Sequence, residues 1–508
     1  MSKLDRLIKY FPTGTTEGEK QLFERVFVTP NQLPDVITAP AGSPRVLVGN
    51  KGVGKTAILE WLFDATKADG IPAIFVRPDD LDLSQIREAS DIGTIKRQMY
   101  DRFLDAIAVA VGRDLSGLLT GEDEVLYRTA IARGARSEDW MGKLVKLLGG
   151  LSKPITHIDA GKLATDLAAK AVSPERLSEA LTNYLLAEKS IFLVLVDDTD
   201  QVCEPDNPQH LNRLWGLLLA VRRLTSENHN IKCIVTLRTE VWMRMLRNDR
   251  GQRDQIDHFR PLVLFLRAAE DHMRTIFLRR VIEAAIEDGH SASGSLTHFF
   301  EDEYMTLPTS TDRRSWISFL LKSSRERPRD LIQLVNHIAN AAKGRGAVAI
   351  GSGDAEKAMD GYSRERSEDL AIEMGQDCPM FLDIIRSFVD LEFESSFEVV
   401  RAHLRTLPSR FAIQIAGRTI KPGDDADVIT LLALIHESGF LNARVPDSTK
   451  PLKYRHVTFL DDPHLVQGSR WNELQSATWE VHPVFRTYLI SLKRERDNRQ
   501  IRGDRPPR

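Results

Sequence analysis

The amino-acid sequence predicts an α/β fold built around a five-stranded parallel sheet covered by helices. An apolar run from Pro44 to Val48 is followed by helical periodicity from Ala57 to Phe63, and then by a second apolar run from Pro72 to Val76. Strands that alternate with helices are typical of parallel sheets, because the chain must cross back over the sheet between parallel strands. The remaining strands are predicted at three further apolar runs, residues 191–196, 231–237 and 262–266.

Helical periodicity dominates outside these strands, notably from Glu270 to Ile286 and from Ser315 to Ala342. A glycine-rich break from Gly344 to Gly353 indicates a domain boundary near residue 350. We therefore predict an N-terminal arm (1–35), a core (36–266) with a helical insertion at about 83–189, a helical lid (267–350), a C-terminal domain (351–492) and a basic, flexible tail (493–508).

The C-terminal domain is predicted to resemble a winged helix. Short helices, including one from Asp427 to Glu437, precede a strand pair at Gly439 to Val445 and Tyr454 to Leu460, and a last helix begins at Pro483. Beyond it, residues 493–508 hold seven basic residues, three acidic ones and two prolines, so this tail is expected to be mobile.

Composition excludes several classes of protein. The net charge of -3 gives no whole-chain attraction to nucleic acid or membranes, and the three cysteines lack the spacing of a zinc site or a disulfide framework. The start of the chain lacks the apolar core of a secretion signal, and no apolar run approaches the roughly 20 residues that span a bilayer. We expect a cytoplasmic protein without a membrane partner.

The strongest chemical signal is GNKGVGKT, Gly49 to Thr56, which lies between a predicted strand and a predicted helix. In this pattern glycines let backbone N–H groups surround phosphates, the lysine reaches the β- and γ-phosphates, and the hydroxyl binds magnesium. We predict ATP and Mg²⁺ as cofactors, with Lys55 and Thr56 in these two roles. The predicted nucleotide contacts are Gly49, Asn50, Lys51, Gly52, Val53, Gly54, Lys55, Thr56 and Ala57.

The second signal is IFLVLVDDTD, Ile191 to Asp200, in which a buried strand ends in carboxylates. Ligands of α/β sheets bind at the carboxyl ends of the strands. Asp197 is therefore the predicted magnesium-linked residue, and Asp198 is predicted to orient or deprotonate the attacking water. By itself, the run is equally compatible with a strand that ends in a polar turn.

Two arginines are predicted to sense the γ-phosphate. Arg238 ends the apolar run Ile231 to Leu237 and could donate a charge-assisted hydrogen bond there; a surface arginine after a core strand is the alternative. Arg329 follows Pro328 at the head of a predicted lid helix, and a solvated arginine at a helix start is its alternative.

The four motifs GNKGVGKT, VLVDDTD, VTLR and RPRDLIQLVN together resemble the AAA+ and STAND classes of ATPase, especially origin-recognition-like proteins and related bacterial P-loop ATPases. The resemblance spans about residues 20 to 345. It implies a Rossmann-like P-loop NTPase core, a lid that carries the second sensor Arg329, a C-terminal winged helix, and assembly controlled by ATP. Asp198 stands where AAA+ proteins more often have Glu, and it matches the D-D-x-D form of STAND switches, so the resemblance implies slow hydrolysis.

Two sets of basic residues stay open at this stage. A neighbouring subunit could receive an arginine finger from Arg244, Arg247, Arg250, Arg253 or Arg260, and no pattern selects one. A DNA-binding face would draw on Arg401, Arg405, Arg410, Arg418, Lys421, Arg444, Lys450, Lys453, Arg455 and the tail, which are dispersed among acidic residues.

The sequence thus predicts an ATP-dependent switch that assembles with itself or with a partner effector protein. By analogy, the resemblance implies a role in phage defence or in the control of mobile elements, in which bacterial ATPases of this type often serve. The alternative is a DNA-binding ATPase, a loader or regulator, that uses the winged helix. A small-molecule or nucleotide kinase is disfavoured by the Asp-Asp pair and the sensor arginines, and GTP use by the lack of an Asn-Lys-x-Asp motif. A purely structural nucleotide-binding protein stays open as a further alternative. The segment TWEVHPVFRTYL is interpreted as core packing, with no second active site.

Overall fold

The computed structural model describes residues 2–40, 42–87, 91–114, 122–132, 173–202, 211–247, 253–450 and 453–502. Its chain forms two compact units. The sheet unit comprises Thr29–Leu266, and the helical unit comprises Met1–Val28 together with Arg267–Arg508.

The described helices are α1 (Lys3–Tyr10), α2 (Thr16–Glu19), α3 (Phe23–Val26), α4 (Leu33–Ile37), α5 (Lys55–Ala68), α6 (Ile92–Asp114), α7 (Glu122–Ala132), α8 (Pro174–Ala187), α9 (Leu211–Glu227), α10 (Thr239–Arg247), α11 (Arg253–Phe259), α12 (Glu270–Glu287), α13 (Ser295–Phe299), α14 (Trp316–Lys322), α15 (Pro328–Gly344), α16 (Ser352–Met374), α17 (Phe381–Ser387), α18 (Phe397–Thr406), α19 (Asp425–Glu437), α20 (Trp471–Ser476) and α21 (Pro483–Arg502). The described strands are β1 (Arg45–Gly49), β2 (Ala73–Val76), β3 (Phe192–Val196), β4 (Ile231–Arg238), β5 (Val263–Phe265), β6 (Tyr304–Thr306), β7 (Arg313–Ser315), β8 (Glu394–Ser396), β9 (Gln414–Ile415), β10 (Arg418–Thr419), β11 (Leu441–Pro446), β12 (Tyr454–Val457) and β13 (Thr478–Val481).

The predicted five-stranded parallel sheet is confirmed, and each predicted strand overlaps an observed one. The strands lie in the order β2-β3-β4-β1-β5, and every pair is parallel. β3 is buried along its whole length and β1 along nearly all of it. Strands covered on both faces need continuous apolar runs, which is why these segments lack the alternation of a half-exposed strand.

The described part of the predicted insertion is helical. α6 packs against α7 and α9, and α8 packs against α7. Gly216 lets α9 approach α6 closely, because a Cβ at this glycine would lie 2.4 Å from Cγ2 of Ile95. Residues 88–90, 115–121 and 133–172 of the predicted insertion lie outside the described residues.

The predicted N-terminal arm is divided between the two units at Val28. Its first part packs within the helical unit, where Tyr10 and Phe11 are fully buried. Arg280 Nη1 donates to the Tyr10 carbonyl at 2.7 Å, and Asn336 Nδ2 donates to the Phe11 carbonyl at 2.6 Å. These hydrogen bonds satisfy main-chain oxygens that burial removes from water.

The predicted lid region is helical but contains an unpredicted antiparallel hairpin, β6–β7. The division into compact units falls at Arg267, and α16, beyond residue 350, packs against α15. Buried ion pairs join these two helices, with Arg366 3.0 Å from Asp330, and Glu373 of α16 lies 2.8 Å from Arg327. A separate domain that begins near residue 350 stays a prediction.

The C-terminal part has the predicted strand pair, observed as the antiparallel pair β11–β12. An unpredicted strand, β13, lies between β11 and β8, which gives a four-stranded antiparallel sheet in the order β12-β11-β13-β8. The core-packing interpretation of TWEVHPVFRTYL agrees with the burial of Trp479, Val484 and Phe485. Assignment to the winged-helix class stays a prediction.

Helix α21 runs through Arg502 and so passes the predicted start of the tail at residue 493. Arg496 in this helix forms two 2.6 Å hydrogen bonds to the carboxylate of Asp390. The mobility of the tail stays a prediction. Residues 503–508 lie outside the described residues. Among the described helices, none is long and apolar enough to cross a membrane.

Candidate functional site

The glycine-rich loop connects β1 to α5 as the sequence predicted. Gly52 and Gly54 have φ angles of +81° and +105°, which side chains with a Cβ rarely adopt. Gly49 is restricted by space instead, since a Cβ there would lie 2.8 Å from Cγ1 of Val53. The backbone can therefore turn tightly from the end of the strand into the first turn of the helix.

Lys55 lies inside the curve of this loop. Its Nζ donates to the carbonyl of Gly49 at 2.7 Å and to the carbonyl of Asn50 at 3.2 Å. Burial lowers the pKa of Lys55 to about 8, while the carboxylate of Glu240 acts in the opposite direction. A desolvated ammonium at the start of a helix is a strong site for an anion.

Asp197 lies at the end of β3 and is almost completely buried. Its Oδ1 accepts a hydrogen bond from Thr236 Oγ1 at 2.5 Å, whereas its Oδ2 is buried and has no hydrogen-bond partner among the described residues. A buried carboxylate oxygen without a donor is costly unless another group, such as a cation, compensates its charge.

These residues fit a magnesium ion. Mg²⁺ keeps several waters and takes one or two protein oxygens together with substrate phosphates. Asp197 supplies an oxygen of this kind, and Thr56 supplies a hydroxyl in the first turn of α5. Among the described residues, no group of three or more His, Cys, Asp or Glu side chains could hold a metal ion.

Asp198 has a left-handed backbone with φ +50°, so the chain turns directly after β3. Its Oδ2 lies 3.4 Å from Nε of Arg77, which follows β2 on the neighbouring strand. Burial and the nearby carboxylates of Asp197 and Asp200 raise the pKa of Asp198. A more basic carboxylate is better suited to accept a proton or to orient a water molecule.

Arg238 ends β4 and is paired in register with Gly49, the first residue of the loop. Arg238, which the sequence predicted to be a sensor of the γ-phosphate, therefore lies on the strand next to the one that leads into the glycine-rich loop. The guanidinium is paired rather than simply solvated, since Nη2 lies 2.9 Å from Asp200 Oδ2 and Nη1 lies 4.0 Å from Glu240 Oε1.

Three residues of this site had no predicted role: Arg77, Asp200 and Glu240. Arg77 directly follows a predicted strand, so its position after β2 was the signal that could have identified it. Glu240 lies two residues after Arg238, in the first turn of α10, where its distance from the loop depends on the β1–β4 pairing. Together they add charge of both signs to one edge of the sheet.

Arg329 belongs to the helical unit, as the second residue of α15. Its Nε donates to the carbonyl of Gly14 at 3.3 Å, and a Cβ at Gly14 would lie 3.0 Å from Cα of Arg329. The first part of the chain therefore lies against the head of this helix, and the role of Arg329 as a sensor stays a prediction.

The candidate arginine fingers are spread over one stretch of the sheet unit. Arg244 and Arg247 lie in α10, and Arg260 directly follows α11. The backbone of Arg253 begins α11, and Arg250 lies outside the described residues. None of these positions distinguishes one arginine, so the choice stays open.

Many basic residues of the proposed DNA-binding face are paired with acidic residues. Arg401 lies 2.8 Å from Asp425, and Arg444 lies 2.7 Å from Glu480. Arg418 pairs with the buried Asp427. Exposed cations include Arg410 and Lys421 and, on the β11–β12 hairpin, Lys450, Lys453 and Arg455.

Comparison with known families and structures gives one family match and several distant likenesses. Residues 273–371 match the FunZ-associated C-terminal helical domain. The match runs from α12 into α16 and crosses residue 350, so it includes the predicted lid and part of the segment beyond it. No match was found among curated proteins.

The solved structures to which the chain is similar include origin-recognition proteins, the group that the motifs resemble. The Aeropyrum pernix ORC2 protein, solved as ADPNP and ADP complexes, is 12% identical over 96% of this chain and 98% of that chain, with a TM-score of 0.38. Cdc6p from Pyrobaculum aerophilum is 13% identical over 96% and 98%, with a TM-score of 0.32. The Aeropyrum pernix ORC1 protein in complex with DNA is 14% identical over 99% and 98%, with a TM-score of 0.30. At these values the case for a function depends on the residues of the site itself.

Proposed function

We propose that this chain is an ATP-binding and slowly ATP-hydrolysing molecular switch of the AAA+/STAND type. The observation that carries the proposal is the meeting of three groups at one sheet edge. Lys55 lies inside the glycine-rich loop, Asp197 has an unpartnered buried oxygen, and Arg238 is in register with Gly49. A triphosphate with its magnesium would satisfy all three groups.

Each residue has a distinct role in this proposal. The loop N–H groups and Lys55 bind the phosphates, and Thr56 and Asp197 hold the magnesium ion, which neutralises phosphate charge when bound. Asp198, with its raised pKa, orients the attacking water and accepts its proton. Arg238 donates to the γ-phosphate and loses that partner after hydrolysis.

The output of the switch is lid closure and assembly. Arg329, at the head of α15, reports the γ-phosphate to the helical unit, and the ATP state favours a homo-oligomer or a complex with a partner effector protein. The biological role that we propose is phage defence, after the bacterial ATPases that the motifs resemble.

Nucleotide binding, hydrolysis and native mass together test this proposal. We expect the wild-type chain to bind Mg·ATP, to hydrolyse it slowly and to gain mass as an oligomer with ATP. Lys55→Ala should abolish binding and assembly, and Asp198→Asn should keep binding but lose hydrolysis. Asp69→Asn, an exposed change at the far end of α5, is the matched control. A wild-type mass that is the same with and without ATP would exclude ATP-gated assembly.

A DNA-binding ATPase is the second candidate, favoured by the exposed Lys450, Lys453 and Arg455 on one hairpin. Three cations near the turn of one hairpin can contact phosphates of a duplex. However, α19 of the same domain contains no lysine or arginine and begins with Asp425 and Asp427. A gel shift at low salt that disappears in Lys450→Glu/Lys453→Glu would support this candidate, and unshifted DNA at low salt would exclude it.

A further inference from the structure

Two carboxylates that the proposed reaction does not use face the same arginine. Asp200 Oδ2 lies 2.9 Å from Nη2 of Arg238, and Glu240 Oε1 lies 4.0 Å from its Nη1. The three side chains are partly shielded from water, with 25%, 15% and 33% of the side-chain surface of Asp200, Glu240 and Arg238 exposed. The guanidinium of Arg238 therefore has a close ion pair with Asp200 and a longer electrostatic contact with Glu240.

The fold fixes both carboxylates relative to β4. Asp200 lies in the short turn Thr199–Val202, and the hydroxyl of Thr199 in this turn donates to the Thr236 carbonyl at 2.6 Å. Thr199 is buried, so the turn is fastened to β4 two residues before Arg238. Glu240 is placed by the first turn of α10, two residues after Arg238.

Both carboxylates also act on the loop lysine. The charges of Glu240 and Asp200 favour the protonated form of Lys55, and the charge of Arg238 opposes it. All three charged groups are therefore within electrostatic range of the proposed phosphate site. A carboxylate near a bound phosphate repels it, because both carry negative charge. The presence of Asp200 and Glu240 therefore has to be explained by a role other than phosphate binding.

We propose that Asp200 and Glu240 form a carboxylate clamp that competes with the γ-phosphate for Arg238 and so sets the preference of the site for ATP over ADP. This inference rests on the proposed function, since it concerns the same nucleotide site. Arg238 pairs with the clamp when no γ-phosphate competes, and it exchanges carboxylate partners for phosphate oxygens when ATP binds.

The chemistry of the exchange explains the preference. A guanidinium has five N–H donors in one plane and bonds carboxylates and phosphates with similar geometry. The phosphate must therefore displace or share the carboxylate contacts, and this competition lowers ATP affinity. ADP lacks the γ-phosphate, so its affinity is affected far less. Removal of one clamp carboxylate should increase the affinity for ATP more than the affinity for ADP.

Equilibrium binding in a double-mutant cycle tests the clamp. The probes are a non-hydrolysable ATP analogue and ADP, each with Mg²⁺, bound to the full chain. We expect Glu240→Gln and Asp200→Asn each to increase the affinity for the ATP analogue by about five-fold, which corresponds to the free energy of one partly exposed ion pair. ADP affinity should change by less than about two-fold. In an Arg238→Ala background the same substitutions should leave the ratio of the two affinities unchanged.

The Arg238→Ala background separates the clamp from plain charge repulsion, because repulsion by Asp200 and Glu240 persists without the arginine. Glu240→Asp keeps the carboxylate and should tighten the analogue less than Glu240→Gln. Asp69→Asn controls for the loss of one negative charge elsewhere on the sheet unit. Thermal melting confirms that each variant folds, and Glu240→Gln alone decides the test if Asp200→Asn does not fold.

The outcomes also separate the clamp from the proposed function. A wild-type chain that binds neither nucleotide refutes both proposals. If the wild-type chain binds both nucleotides and Glu240→Gln changes their affinities equally, the clamp alone is refuted. The same result follows if Glu240→Gln shifts the affinity ratio equally with and without Arg238.

Discussion

Thr236 Oγ1 on β4 donates a hydrogen bond to Asp197 Oδ1 at the end of β3, and both side chains are buried. Because β4 lies between β3 and β1, this contact links the proposed magnesium residue to the strand that pairs with the glycine-rich loop. The second carboxylate oxygen has no hydrogen-bond partner among the described residues and is available to the proposed magnesium ion. The hydroxyl thus orients Asp197 toward the site.

Substitution of Thr236 by valine should remove the hydrogen bond that orients Asp197 and leave the packing of the core nearly unchanged. Valine keeps the volume of threonine but removes the donor, so a buried carboxylate oxygen loses its hydrogen bond, at a cost of about 1–3 kcal/mol. We expect a lower free energy of unfolding in urea and a higher Mg²⁺ concentration for half-maximal stabilisation by ATP. Thr225→Val, which removes a buried hydroxyl bonded to main-chain carbonyls, is the control. An unchanged Mg²⁺ requirement would contradict the role of Thr236.

Nucleotide affinity should depend on pH through Lys55. Burial lowers the pKa of this lysine to about 8, below its ordinary 10.5, so the free protein loses this proton as the pH rises above 8. Phosphate favours the protonated form, and ATP binding should therefore weaken above pH 8 by up to about ten-fold per pH unit. Calorimetry in buffers of different ionisation enthalpy should show proton uptake on binding at pH 8.5. Lys55→Arg, which stays charged, is the control, and a flat wild-type profile from pH 7 to 9.5 would refute the prediction.

Alanine at Gly54 should weaken nucleotide binding through backbone strain alone. The residue has φ +105°, and nothing lies within 4 Å of a Cβ built there, so no steric contact is added. The left-handed conformation costs an alanine on the order of 1–2 kcal/mol. We expect weaker ATP binding with an otherwise similar far-UV spectrum. Gly361→Ala, in the open middle of α16, should leave ATP binding unchanged and stabilise its helix by about 0.5–1 kcal/mol. Equal ATP binding by wild type and Gly54→Ala would contradict the expectation.

Loss of the buried ion pairs at the head of α15 should destabilise the helical unit. Asp330 lies 2.8 Å from Arg325 and 3.0 Å from Arg366, and all three side chains are less than 10% exposed. Burial acts to raise the pKa of Asp330, but the three arginines Arg325, Arg327 and Arg366 outweigh it and hold the pKa below its ordinary value. Asp330→Ala leaves buried guanidinium groups without this partner and should cost about 3–5 kcal/mol.

The sign of the pH dependence follows from the lowered pKa of Asp330. Its contribution to stability is complete above the pKa of an unfolded Asp, near 4, and is lost as the pH falls through the lower folded value. The free energy of unfolding of the wild type, measured in urea, should therefore fall as the solution is acidified. Part of this fall should be missing in Asp330→Ala. Glu368→Ala, at an exposed acid on α16, should change stability by less than about 0.5 kcal/mol. If Asp330→Ala behaves like Glu368→Ala, the ion pairs do not stabilise this unit.

Features determined by contiguous residues could be read from the sequence. The glycine-rich loop needs a strand, a turn and a helix in one short segment, so Gly49 to Thr56 contained all the information for its own geometry. The five strands of the parallel sheet could also be predicted, because strands that are buried on both faces need apolar runs. The strand pair β11–β12 was also predicted from local pattern. The hairpin β6–β7 was not, since its strands are short and lie within a helical pattern.

Strand order and long-range packing decided the rest. Periodicity shows that a segment is a strand but not which strand lies beside it, and the order β2-β3-β4-β1-β5 alone brings Arg77 to Asp198 and Arg238 to Gly49. For the same reason Asp200 and Glu240 could not be assigned to Arg238. The contact between Arg496 of α21 and Asp390 likewise joins residues 106 positions apart, which local periodicity does not show. The sequence by itself therefore determined the glycine-rich loop between β1 and α5, and the tertiary structure decided which charges surround it.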